Sequence, residues 1–241
     1  MLDQDTLYDT RCDLAAALRW FARLGMNEGI ANHVSMATAD GTGFLINPAG
    51  RYWSRVRAGD FVLLDSTVPP PPEAPVERTA WAIHGALHRN VPGAGCVMHL
   101  HSRAATALSC LADPTLPPVD QNAMRFFNRV SIDLGYDGMG LGDEAERLSR
   151  ALGNHRMLMM GQHGVMAVAP TVGQCFDALI CFEKAADTYL CALSTGRPLN
   201  IASDAVAEKT ARQWAEAPGA GDQHLAAIRE ALDTEDPDYA Q

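Results

Sequence analysis

The chain lacks a basic surplus, a cysteine framework and any long apolar run. Its 19 Lys and Arg stand against 29 Asp and Glu, a formal charge of -10, so it carries no cationic footprint for nucleic acid or an anionic membrane surface. Six cysteines, at 12, 96, 110, 175, 181 and 191, form no CxxC pair and no regular spacing, which excludes a zinc ribbon and a stapled secreted scaffold. No run approaches the length of a membrane span. The opening MLDQDTLYDTRCDL carries acids where a signal peptide carries bases, so a cytoplasmic protein is expected. No internal repeat is evident, and the expected partner is a small molecule.

What is present suffices for one sizeable core, since 47% of the 241 residues are apolar. Leu7, Leu14, Leu18, Phe21 and Leu24 recur at helical spacing and predict a helix over 5–24. HVSMATADGTGFLINP predicts a hairpin turning at Asp40-Gly41, and 61–65 a strand. A proline-rich loop over 68–75 leads into a helix over 78–89. A strand ending in HLH, a helix over 102–111, a short segment at 128–132 and a helix over 143–152 follow. Two strands or one bent strand over 157–168 precede a long helix over 172–193. Past Ser203 the pattern turns polar, with a helical stretch near 224–232 and an acidic tail read as solvated and mobile.

The chemistry concentrates at His99-Leu100-His101. Residues i and i+2 of a strand share a face, so both imidazoles can reach one metal ion while Leu100 faces the opposite layer. A catalytic zinc needs three protein ligands and an open position. His163, between Gly161 and Gly164 at a break between apolar runs, is the best third candidate, because a turn there can present it to a cleft.

Four segments extend this pattern: GMNEGIANHVSM at 25–36, FLINPAG at 44–50, VPGAGCVMHLHSRAATALS at 91–109 and GQHGVMAVAPTVGQCFDALICFEKAA at 161–186. Together they resemble the class II aldolase and adducin head-domain family over roughly residues 5–215. The resemblance implies an α/β fold, a three-layer α/β/α sandwich with a mainly antiparallel central sheet, in a domain over 1–215 followed by a C-terminal helix and acidic tail over 216–241. It also implies a homotetramer with interfacial active sites. A divalent ion, zinc first and otherwise manganese, cobalt or iron, is then expected on His99, His101 and His163. By the same resemblance Gly29, Asn32, Ser35, Asn47 and Gly50 bind substrate, glycine admitting close backbone approach and Asn and Ser donating hydrogen bonds.

One departure redirects the mechanism. Aldolases of the family place Ser-Ser-Glu four residues before a helical histidine, here His84, and those places hold Arg78, Thr79 and Ala80. The usual catalytic carboxylate is missing, and Glu77 stands too far along the helix start to replace it. VERTAWAIHGALH instead resembles the adducin-like bacterial branch. Retro-aldol cleavage needs a base for the hydroxyl proton; decarboxylation does not. The expectation is therefore a divalent-metal-dependent carbon–carbon lyase, a decarboxylase or aldolase, acting on a small hydroxy-carboxylate or hydroxy-carbonyl substrate through a metal-stabilised enolate. Arg78 offers such a substrate a bidentate carboxylate fork. His84 and Tyr136 are the leading catalytic side chains for proton delivery, with His33 beside them. The alternatives are a sugar-phosphate epimerase or dehydratase of the same family, and a non-catalytic adducin-like interaction module.

Overall fold

A computed structural model describes residues 4–136, 138, 144–217 and 219–241. Helix α1 (Gln4–Arg23) precedes the hairpin β1 (His33–Ala37) and β2 (Gly43–Ile46), then β3 (Val62–Asp65), α2 (Arg78–Asn90) and β4 (Cys96–Leu100). Next come α3 (Arg103–Ser109), α4 (Gln121–Arg125), β5 (Val130–Asp133), α5 (Glu144–Leu152), β6 (Met157–Met160) and β7 (Gly164–Ala169). Helices α6 (Val172–Ser194), α7 (Asp204–Ala215) and α8 (Gly219–Glu235) and a last 3-10 turn, Pro237–Ala240, complete the described order.

The seven strands form one sheet in the order β3-β2-β1-β4-β7-β6-β5. Every pairing is antiparallel except β5 with β6. Alternation along β4 sorts the layers. Cys96, Met98 and Leu100 pack with Leu14, Leu18, Phe176 and Leu179 of α1 and α6, whereas Val97 packs with Ile83, Leu87 and Leu148 of α2 and α5. His99 shares the second face by strand period. Helices thus cover both faces, the expected three-layer arrangement.

Two α-helices escaped the sequence reading. Helix α7 buries only Ala207 and Ala211, a stripe too small to register as an apolar face. Its Trp214 ring meets the guanidinium of Arg125 on α4 at 4.9 Å, and Glu208 takes two bonds from Arg129, at 2.7 and 2.9 Å. Helix α4 has five residues, capped by Asp120, whose carboxylate accepts from the Ala123 N–H at 2.6 Å.

The tail also differs from its expected solvated state. Arg19, 2% exposed, donates from Nη1 to Asp236 and Asp238 at 2.8 and 2.9 Å and from Nε to the Val56 carbonyl at 2.9 Å. Tyr239 is 1% exposed and joins Leu225, Ile228 and Leu232 in the α1/α6 core. A buried guanidinium needs counter-charge, which the acidic composition of this segment supplies.

Candidate metal centre

His99 is the penultimate residue of the buried strand β4, and His101 follows one residue beyond its end, so the two rings leave the same face of the chain. His163 arrives from the β6–β7 turn. That turn is held by backbone bonds from Gly161 N–H to Asp133, Gln162 N–H to Ser109 and His163 N–H to Met160, at 2.7, 3.0 and 3.1 Å. Gln162 adopts φ +59° there, the left-handed region usually left to glycine. Ring centroids of the three histidines lie 4.6–4.8 Å apart. Their ligand atoms all fall within 4.8 Å of one another.

Hydrogen bonds fix which nitrogens face inward. His99 Nδ1 donates to the Val165 carbonyl at 3.1 Å, so its neutral ring carries the lone pair on Nε2. His101 Nδ1 bonds the carboxylate of Glu28, so its ring when neutral carries the lone pair on Nε2 as well. Those two Nε2 atoms are 2.8 Å apart. Two lone pairs at that distance repel unless a proton or cation sits between them. Burial and the neighbouring imidazoles hold His99 well below the usual histidine range, which disfavours the proton. His163 is pushed down to about 4, mainly by burial and then by His101. The donor set therefore fits a divalent metal, with carboxylate and carbonyl partners orienting the ligands from behind.

Other expected residues gather around this centre unevenly. Asn32, at φ +75°, accepts at Oδ1 from the Glu28 and His101 N–H groups at 3.0 and 3.3 Å. Its Nδ2 is buried without a partner, an orphan donor. Gly29 lies in the same loop at φ +56°. Asn47 is buried with its amide committed to the Val34 N–H and to the Asn32 and Pro48 carbonyls, at 2.7, 3.5 and 3.4 Å; it braces the loop. Gly50 is exposed at φ +73°. Its neighbour Ala49 bonds the Pro75 carbonyl at 2.8 Å, tying that loop to the segment before α2. Arg78 is exposed at the first position of α2. Tyr136, 47% exposed, sets its ring 5.8 Å from that of His163.

Two expected contact residues lie behind the site instead. Ser35 and His84 are both 0% exposed. The serine hydroxyl is enclosed between His84 and His88, and His84 reaches the cluster through His33 at 2.6 Å. Ser35 faces the α2 layer and His84 comes from α2 itself, the two side chains meeting between strand and helix. Ala80 is buried among Phe44, Ile46, Leu64 and Val76, so the missing carboxylate is replaced by apolar packing. Glu28 and His88 went unnoticed in the sequence; Glu28 stood within the glycine-flanked GMNEGIAN segment, its only signal.

The profile of the Class II Aldolase and Adducin N-terminal domain matches residues 12–190. The chain belongs to this family. Among class II aldolase relatives, Decarboxylase NovR of Streptomyces niveus is 31% identical over 208 residues, spanning 83% of this chain and 75% of that protein. L-fuculose phosphate aldolase of Escherichia coli O6:H1 is 26% identical over 182 residues, spanning 76% and 83%. The fold matches an aldolase II superfamily protein from Pseudomonas syringae at TM-score 0.87 and 28% identity, covering 97% of this chain and 96% of that one. Named class II relatives thus include both a decarboxylase and a sugar-phosphate aldolase, which makes a lyase the family-level reading. Among the described residues no helix is long and apolar enough to cross a membrane.

Proposed function

We propose that the chain is a divalent-metal-dependent carbon–carbon lyase, a decarboxylase or aldolase, for a small hydroxy-carboxylate or hydroxy-carbonyl substrate. The observation that carries this reading is the convergence of the His99 and His101 lone pairs at 2.8 Å, with His163 in ligand range. These three residues would hold the ion, zinc first. When bound, a divalent ion supplies Lewis acidity that stabilises negative charge on substrate oxygens during C–C cleavage.

The remaining roles belong to the chain's own residues. The orphan Nδ2 of Asn32 orients an anionic oxygen, and Gly29 lets the backbone approach it. Arg78 receives a carboxylate from the rim, while the Gly50 loop frames the entrance. Tyr136 is the proton donor to the product carbanion, since its exposed ring lies against His163. His84 supports from behind through His33. The apolar burial of Ala80 favours decarboxylation, whose departing group needs no base.

The proposal includes a homotetramer with the centre at subunit junctions. Ile30, Leu134 and Tyr136, 48%, 58% and 47% exposed, supply apolar surface on the loops that carry the site. A cytoplasmic location belongs to the same reading and suits the free cysteines.

Elemental analysis of protein purified without chelator, beside a His99→Ala/His101→Ala variant, tests the metal; equal content in both overturns it. Metal-reconstituted protein should then release carbon dioxide or an aldehyde from a panel of hydroxy acids, aromatic o-hydroxy carboxylates and phosphorylated ketoses. Conversion without fragment release points to an epimerase or dehydratase, and light scattering reads the oligomer.

A further inference from the structure

Behind the three-histidine cluster two elements interleave with matched spacing. His33 and Ser35 are i and i+2 on β1, about 6.6 Å apart along a strand, and His84 and His88 are i and i+4 on α2, about 6 Å apart along a helix. Their side chains alternate in one line. His33 Nδ1 meets His84 Nε2 at 2.6 Å, and His84 Nδ1 meets Ser35 Oγ at 2.5 Å. Ser35 Oγ meets His88 Nε2 at 2.7 Å, and His88 Nδ1 meets the Ala94 carbonyl at 2.7 Å. No carboxylate or arginine enters these four contacts.

The Ala94 carbonyl fixes the direction of every bond. It only accepts, so His88 carries its proton on Nδ1, and a neutral ring then accepts at Nε2. The Ser35 hydroxyl must donate its one proton there. It can therefore only accept from His84, which places the His84 proton on Nδ1 and its lone pair on Nε2. His33 must donate to that lone pair from its own Nδ1. Burial favours the neutral rings this requires, with His88 pushed down to about 4 and His84 lower than usual.

The line ends at the site. His33 lies opposite His99 in the β1–β4 register, with ring centroids 5.1 Å apart. It keeps 8% of its surface exposed, and its Nε2 has no hydrogen-bond partner among the described residues. We infer that the Ala94 carbonyl, His88, Ser35 and His84 form a positioning line that fixes His33 as the Nδ1–H tautomer, presenting a proton-free Nε2 edge beside the cluster. Such an edge accepts a hydrogen bond and cannot give one. It favours a ligand hydroxyl and disfavours a carbonyl or carboxylate oxygen at that point. This consequence for ligand choice rests on the cluster being the substrate site; the tautomer does not.

Long-range proton–nitrogen correlation spectra of 15N-histidine protein, metal-free at neutral pH, read the tautomers directly, because protonated and bare ring nitrogens resonate far apart. His33, His84 and His88 should each show a protonated Nδ1 and a bare Nε2. Ser35→Ala deprives His84 of its acceptor and should release His84 and His33 toward the Nε2–H form preferred by free imidazole, with His155 and His224 unmoved. Wild-type His33 protonated at Nε2 overturns the inference without any variant. A folded Ser35→Ala protein with unchanged His33 also overturns it, and His88→Phe provides the same test should Ser35→Ala fail to fold. Predicted tautomers in a protein that binds no metal would sink the lyase reading alone; metal binding with the wrong tautomer would sink this inference alone.

Discussion

Ser102 and Glu183, 81 positions apart, are joined by a 2.6 Å hydrogen bond in which the serine hydroxyl donates to the carboxylate. The same carboxylate accepts from the Ala104 and Ala105 N–H groups at 2.7 and 2.9 Å, doing for α3 what an N-cap side chain ordinarily does. Helix α3 begins two residues after His101, so this contact anchors the backbone next to that candidate ligand.

Removing it should therefore be felt twice. Glu183→Ala is expected to cost about 2–3 kcal/mol, the scale of charge-assisted bonds left unmade, read as a lower denaturant midpoint. Metal affinity should fall with it. Unchanged affinity in the folded variant would separate α3 from the site.

Glu28→Gln tests the carboxylate behind His101. Glu28 is exposed, so thermal stability should hold nearly constant. Competition against a chelator should show metal affinity reduced about 10–100-fold, the range for such orienting partners. An affinity equal to wild type would mean that Glu28 is incidental.

Gly164 separates the His163 turn from the HLH segment. A Cβ there would lie 2.4 Å from the Leu100 carbonyl oxygen and 3.1 Å from the His101 ring. Gly164→Ala should destabilise by about 1–3 kcal/mol through overpacking and lower metal content in the folded fraction. Full metal loading at wild-type stability would contradict the close approach.

Acid should weaken the fold through His88. Its folded value is pushed down to about 4 from an ordinary 6.5, so between these values the unfolded chain binds the extra proton. The sign follows: this contribution is complete above pH 6.5, is lost as pH falls toward 4, and amounts to at most about 3 kcal/mol. His88→Phe should flatten urea midpoints across that window. An equally steep profile in the variant would assign the acid sensitivity elsewhere.

Tyr136→Phe keeps the ring and removes only the phenol. Once a substrate is known, turnover should fall about 10²–10⁴-fold, the range for a general acid, with metal content intact. Unchanged turnover would remove Tyr136 from proton delivery.

Much of this was legible in local pattern. The i, i+2 spacing of His99 and His101 and the glycine-flanked His163 reflect short-range geometry, as do α1, α2, α6 and the hairpin. The sequence could not show which side of a residue is committed. Ser35 and Asn47 read as donors for a ligand, yet their polar atoms are consumed in bracing. Glu28 meets His101 across 73 positions, a pairing with no local signature. Helix α7 hid because its buried stripe is alanine.

The clasp on Arg19 has a consequence for biosynthesis. Its carboxylate partners lie 217 and 219 positions later, so a nascent chain holds this side chain in α1 without its folded-state counter-charge. The ion pairs of Arg19 in that helix form only once residues 236–238 are present. Completion of the core around Arg19 therefore draws on residues more than 200 positions apart rather than proceeding from the N-terminus as the chain emerges.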